Sequence, residues 1–349
     1  MKRTYMIIAA IVLIAVVLGA ALTWYYYYYT PTTTTKMITI GHTDVAGMRH
    51  PYWVSYWKGM QDAAAYYGNV TLIYYDSEQN LAKQLDQVQD MISRKVDVIT
   101  VGAIDSDGIV PAVIAANTAG IPFIAQDIAV GMGATPTVWI RTDNMQGGET
   151  VADYLHQIAG DKANVVNIMG LLGMTVARER SDGFMNKLVT TYTNMTLLDF
   201  KTAMWDRTTA FNLMQGWLTT FPEIDGVFAA NDDMGLGAVA AIQTAGKTGQ
   251  IKVVGYDGVP EALTAIQNGT MAGTIAQDPY IGGWLSVKYG VMLAGKEEVP
   301  LVDQIMLNLV TTANVTAYKV YSDKQVSTAG LTISDVNAVI ANDKLTWLP

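Results

Sequence analysis

The chain has 349 residues, half of them hydrophobic and 15% charged, with a formal net charge of −9 and no cysteine. That composition is globular and long enough for more than one domain. The acidic balance argues against a nucleic-acid partner, which needs a basic surface. The missing thiols exclude disulfides, thiolate metal sites and cysteine nucleophiles.

Lys2 and Arg3 precede an uncharged run from Met6 to Trp24. Nineteen helical residues match a hydrocarbon core of about 30 Å, and positive charge on the short side places residues 1–5 in the cytoplasm. Leu18-Gly19-Ala20 would also serve a cleaved signal peptide, but the length and the aromatic run Trp24–Tyr29 favour a retained transmembrane anchor. Either reading exports the rest. Residues 25–36 form a Tyr/Thr-rich spacer, compatible with O-glycosylation, and Asn-X-Thr sequons follow at Asn69, Asn194, Asn268 and Asn314.

From Met37 onward, short apolar runs alternate with amphipathic segments. The runs are 37–41, 70–75, 96–101, 121–125, 165–169, 227–230, 251–255 and 271–276. They read as buried parallel strands. Between them, Leu81, Leu85, Val88 and Ile92 recur at helical spacing behind Asn80 as N-cap, and Pro260 opens a helix that Gly269 ends. The alternation predicts an α/β fold of right-handed βαβ units. There are too many strands for one ordinary sheet, so two Rossmann-like lobes are expected, with a seam near Trp139–Asn144, where a further apolar strand ends and a new helix begins at Gln146. Periodicity weakens past Ser322, and residues 323–349 read as a C-terminal extension.

In open parallel sheets ligands sit beyond the carboxyl ends of the strands. The residues there are His42 and Thr43, Gly102 with Asp105 and Asp107, Asp127, Asn231 with Asp232 and Asp233, Asp257, and Gln277. Tyr52, Trp53, Trp205 and Tyr256 lie close in sequence. Aromatic rings suit the C–H faces of a sugar, and carboxylates and amides suit its hydroxyl rim. Asp232 and Asp233 read as caps of a helix over 234–245 rather than as ligand contacts. The three histidines, His42, His50 and His156, form no spaced metal motif, and G-x-S-x-G and Walker A signatures are absent.

With those residues in hand, the chain from about Met37 to Thr316 resembles the ribose-binding branch of the periplasmic sugar-binding proteins. The ordered matches include HPYW at 50–53, YYDSEQNLAKQLDQVQDMI at 74–92, DSDGI at 105–109, DNMQGG at 143–148, ARERSDGF at 177–184, WDR at 205–207, VVGYDG at 253–258 and GTIAQDP at 273–279. The resemblance implies a type I periplasmic binding protein fold with three interlobe crossovers. The N-terminal lobe would be 37–142 with 278–304, and the C-terminal lobe 143–277 with 305–322. It implies a non-enzymatic substrate-binding protein of an ABC importer that closes on a monosaccharide or polyol and presents it to permease subunits, without cofactor or metal. The alternative is an ectodomain feeding a membrane sensor. A sugar-responsive repressor is excluded, because the membrane segment stands where such a protein carries its helix-turn-helix.

The implied ligand contacts are Trp53 and Trp205, sandwiching the ring from opposite lobes, with Asp127, Arg178, Asn231, Asp257 and Gln277 on hydroxyls and Tyr52 and Tyr256 as further aromatics. His50 and Gly102 are possible contacts. The ribose binders carry an Arg where this chain has Ile128, an Asn where it has Gly102, and an Asn where it has His50. These departures leave the ligand a pentose or hexose without fixing it as ribose, and the smaller Gly102 and Ile128 are expected to leave room for a larger ring.

Overall fold

A computed structural model of the chain describes residues 36–326, with the side chains described as far as residue 323. The expected membrane segment, nearly all of the spacer and most of the C-terminal extension lie outside the described residues. No helix among the described residues is long and apolar enough to cross a membrane.

Among the described residues, twelve strands and ten α-helices alternate. The first sheet holds β1 (Ile38–Asp44), β2 (Val70–Asp76), β3 (Val98–Val101), β4 (Phe123–Gln126), β5 (Val138–Thr142) and β11 (Val302–Ile305) in the order β2-β1-β3-β4-β5-β11. The second holds β6 (Asn164–Met169), β7 (Thr196–Thr202), β8 (Gly226–Ala229), β9 (Lys252–Asp257), β10 (Gly273–Ala276) and β12 (Asn308–Thr311) in the order β7-β6-β8-β9-β10-β12. All pairings are parallel except that of β10 with β12. The chain passes between sheets three times: after β5, after β10 and between β11 and β12. The two orders are the same, so each lobe has its topological switch point at its second strand, between β1 and β3 and between β6 and β8. Open α/β sheets bind ligands beyond the carboxyl ends at that point.

The helices are α1 (Pro51–Tyr67), α2 (Leu81–Ser93), α3 (Val110–Thr118), α4 (Asn144–Ala159), α5 (Thr175–Thr190), α6 (Arg207–Thr220), α7 (Asp232–Thr244), α8 (Pro260–Gln267), α9 (Pro279–Ala294) and α10 (Val315–Val326). Local chemistry sets their ends. The Asn80 side chain accepts from Lys83 N–H at 3.0 Å, and proline stands in the first turns of α1, α3, α8 and α9, where no N–H is needed. The cap of α7 is Asn231, which accepts from Met234 N–H at 2.9 Å, and the helix starts before the sequence-predicted 234. Asp232 instead lies fully buried and accepts from Gly258 N–H, Val259 N–H and Thr274 Oγ1, tying α7 to β9 and β10. Asp233 pairs with Arg207 at 2.7 Å.

Glycine lets helix pairs meet backbone to backbone. A Cβ on Gly59 would overlap the carbonyl of Tyr280, and one on Gly283 the carbonyl of Tyr56, so α1 and α9 are in backbone contact. Gly148 and Gly183 join α4 to α5 in the same way. A carbonyl cannot rotate aside as a side chain can, so Gly59→Ala and Gly283→Ala should each destabilise the fold by about 1–3 kcal/mol. Gly216, in α6, has no atom within 4 Å of the corresponding position. Gly216→Ala should stabilise by about 0.5–1 kcal/mol through helix propensity. Urea unfolding of the three variants reads the sign, and a stabilised Gly59→Ala would refute the close contact.

Candidate functional site

One cavity lies between the carboxyl ends of the two sheets, enclosing about 560 Å³ of atom-free space with its mouth included. Each lobe contributes a tryptophan. Trp53 stands in the first turn of α1, and its indole occupies the space a Cβ on Gly102 would take at the end of β3. Trp205 stands between β7 and α6, and its indole occupies the corresponding space at Gly170, after β6. Gly102 is therefore a seat for Trp53, and it leaves no room for a larger ring.

The polar side of the cavity is built around Arg180, on α5 and only 3% exposed. Its Nε donates to Asn144 Oδ1 at 2.8 Å and its Nη1 to the Ala230 carbonyl at 2.8 Å. The guanidinium lies 3.4 Å from Asp257 Oδ1 in its own lobe and 3.8 Å from Asp127 Oδ2 in the other. It stacks over the Tyr256 ring, 3.8 Å from the centroid. Gln277 donates to Asp257 Oδ1 at 2.8 Å and accepts from Thr142 Oγ1 at 2.9 Å. Asp127 Oδ1 is buried without a hydrogen-bond partner among the described residues. Asn231 has its oxygen committed to the α7 cap, so its amide NH2 is what remains to offer the cavity.

Burial pushes the Asp127 carboxyl up to about 6, against the opposing pull of Arg180. Burial raises Asp257 as well, again opposed by Arg180 and then by His50. For Arg180, burial works to lower the pKa, but the fields of Asp257, Tyr256 and Asp127 outweigh it and hold the guanidinium charged. Four residues lining the cavity carry positive φ without being glycine: Gln79 at 57°, Asp127 at 57°, Trp205 at 64° and Asp257 at 114°. Such backbone costs of order 1–3 kcal/mol per residue and persists only where its surroundings enforce it.

The lobes meet over the cavity. Ser106 N–H donates to the Gly173 carbonyl at 3.1 Å, Thr175 N–H to Ser106 Oγ at 3.2 Å, and Ala129 N–H to Thr175 Oγ1 at 3.0 Å. Arg141, on β5, reaches Glu179 of α5 at 3.4 Å.

Of the sequence-predicted residues, the cavity brings together Tyr52, Trp53, Asp127, Trp205, Asn231, Asp257, Gln277 and His50. Arg178, Tyr256, His42 and Thr43 are placed otherwise. Arg178 is exposed, with its guanidinium on the Leu172 carbonyl, so the arginine of the cavity is Arg180, two positions further in Ala-Arg-Glu-Arg. Tyr256 is fully buried behind Arg180 and supports the guanidinium without lining the cavity. His42 and Thr43 belong to β1 and are buried, His42 bonding Thr100 and Thr43 bonding Gln87. The residues missed are Arg180 and the apolar lining of Val45, Ala46, Met174 and Val176, together with Gln79. No cluster of three metal-ligating side chains occurs among the described residues.

A model of the periplasmic binding protein domain matches residues 45–298. The chain belongs to the periplasmic binding protein family. It is 39% identical, over 67% of its length and 78% of the relative's, to the ribose import binding protein of Salmonella typhimurium. Among solved structures it is similar to an ABC transporter solute-binding protein of Bacillus halodurans with bound myo-inositol, at 29% identity and a TM-score of 0.78, covering 83% of this chain and 99% of that one. It is similar also to a periplasmic solute-binding protein of Actinobacillus succinogenes with bound D-allose, at 29% identity and a TM-score of 0.77, covering 80% and 100%. The family consists of extracytoplasmic ligand binders, not enzymes.

The raised Asp127 sets a pH dependence. Its folded-state pKa of about 6 exceeds the unfolded value, so between about pH 4 and 6 the native state holds more proton than the unfolded chain. Stability from this group is present below pH 4 and is lost as pH rises through 6, on the order of 3 kcal/mol at most. Asp127→Asn should raise the melting temperature at pH 7.5 relative to the parent and flatten its fall between pH 4.5 and 7.5. A variant that melts lower at pH 7.5 would show that the Arg180 pairing outweighs desolvation.

Proposed function

We propose that the protein is the extracytoplasmic substrate-binding component of an ABC importer, taking a monosaccharide or close polyol between its lobes. One observation carries this reading. A tryptophan from each lobe and a cluster of buried carboxylates, amide and guanidinium from both line a single interlobe cavity. Flat apolar rings suit the C–H faces of a sugar, and the polar cluster suits vicinal hydroxyls. The ribose import binding protein and the solute-binding proteins solved with bound D-allose and myo-inositol support the same class.

In this reading Trp53 and Trp205 hold the ring faces. Asp127, Asp257, Asn231 and Arg180 take its hydroxyls, with Gln277 and Tyr256 fixing Asp257 and Arg180 and with Tyr52 and His50 at the wall. The lobes are 37–142 with 278–304 and 143–277 with 305–322. Ligand contacts drawn from both lobes are complete only in the closed form, so binding shifts the population towards it. The closed form is what the permease recognises. Residues 6–24 act as a retained anchor, supported by the uncharged run behind Lys2 and Arg3, and the tether raises the local concentration at the permease.

The test is a thermal-shift and calorimetric screen of the full-length chain, in a detergent without a sugar headgroup, against pentoses, hexoses and cyclitols. A sugar or polyol should raise the melting temperature with no product formed. An amino acid or nucleoside as the sole ligand would overturn the assignment. Arg180→Lys and Asp257→Asn should each weaken the bound sugar about ten- to a hundredfold, because each loses charge-assisted geometry in a buried cluster. Arg178→Ala should leave the dissociation constant within about twofold. The reverse pattern would place the site on the outer face of α5.

A further inference from the structure

The cavity wall is divided. Asp127, Arg180, Asp257 and Gln277 form one set, knit by the ion pairs and hydrogen bonds given above. Ile128, Met174 and Val176 form another, at 2%, 2% and 3% exposure, held together where Ala129 N–H of one lobe meets Thr175 Oγ1 of the other. The side chains of this second set have no hydrogen-bonding capacity to spare. The sulfur of Met174 accepts the indole N–H of Trp205 at 3.1 Å, so the only donor of that indole and the only heteroatom of the set satisfy each other. Three backbone donors nearby are engaged as well: Ser106 N–H by the Gly173 carbonyl, Thr175 N–H by Ser106 Oγ, and Met174 N–H by the Leu171 carbonyl.

A hydroxyl brought against this wall would give up its hydrogen bonds to water and find none from these three side chains. A C–H or methyl edge would lose nothing and would exclude water from three apolar side chains. Discrimination of this kind is strong because burying an unsatisfied hydroxyl carries its full desolvation cost.

We infer that the ligand is a sugar or polyol deoxygenated along one edge, a deoxy or methyl-bearing monosaccharide, with that edge on Ile128, Met174 and Val176 and its hydroxyls on the Arg180 cluster. The inference rests on the sugar-binding reading and narrows it.

The experiment is calorimetry on the full-length chain with matched pairs: D-fucose against D-galactose, L-rhamnose against L-mannose, and 2-deoxy-D-ribose against D-ribose. In at least one pair the deoxy member should bind about tenfold or more tighter than its parent. Ile128→Asn, which places an amide in the apolar wall, should shift that ratio about tenfold towards the parent. Equal or tighter binding of the hydroxylated member in every pair that binds, or binding of fully hydroxylated sugars or cyclitols alone, overturns the inference and leaves the sugar assignment standing. If no sugar or polyol binds at all, both fall.

Discussion

Arg180 is a fully desolvated cation, and a charge so placed is tolerated only where its partners are close and well aimed. Asn144 and the Ala230 carbonyl fix the guanidinium, Tyr256 lies under it, and Asp257 flanks it within the same lobe. Asp127 comes from the other lobe, so the compensation is complete only with the lobes together. Two carboxylates around one guanidinium leave acceptor capacity over, and the unpartnered Asp127 Oδ1 is its visible part. A hydroxyl donor would satisfy that atom. Closure and ligand capture are in this way two aspects of the same electrostatic problem. The arrangement reaches into the scaffold. A Cβ on Gly147 would overlap the Tyr256 hydroxyl, and one on Gly148 would overlap the backbone of α5, so the paired glycines of α4 are what allow tyrosine and arginine to stack.

The backbone carries a related constraint. Asp127, Trp205, Asp257 and Gln79 present their side chains from φ values that non-glycine residues avoid. Each lies just beyond or at the end of a strand, where two six-stranded sheets and their helices over-determine the conformation. Large cores can hold such costs where a small domain could not. That is a physical reason for placing so demanding a site on two complete α/β lobes.

Much of this was legible in the residues. The buried central strands announced themselves as continuous apolar runs, and Asn80 and Pro260 marked helix starts that the structure shares. The strands that went unread are β7, β11 and β12, and all three stand at sheet edges. β7 is exposed or half-exposed along its whole length and β11 alternates, so neither has the uninterrupted apolar signature of a central strand. The choice between Arg178 and Arg180 was decidable in principle. Two residues apart on a helix, they point to nearly opposite sides, and Ala177, Arg180, Ser181 and Phe184 share the buried face at helical spacing. Following that phase would have selected Arg180. The apolar lining at Met174 and Val176 had no comparable signal, because an apolar residue that faces a ligand is indistinguishable in sequence from one that faces the core.

Gly102 shows why substitution size is a poor guide to cavity shape. A small residue at a strand end suggests added space, yet the indole of Trp53 lies where its side chain would be, as Trp205 lies over Gly170 in the other lobe. Interiors are filled to crystal-like density, so a deleted side chain is replaced by a neighbour unless the surroundings are too rigid to follow. Here the replacement is itself a ligand platform. Glycine under tryptophan sets how deep each indole sits, and therefore how far apart the two faces of the cleft stand when the lobes meet. With the depth fixed by those pairs and the polar rim fixed by Arg180, the part of the wall left to distinguish one polyol from another is the apolar edge at Ile128, Met174 and Val176.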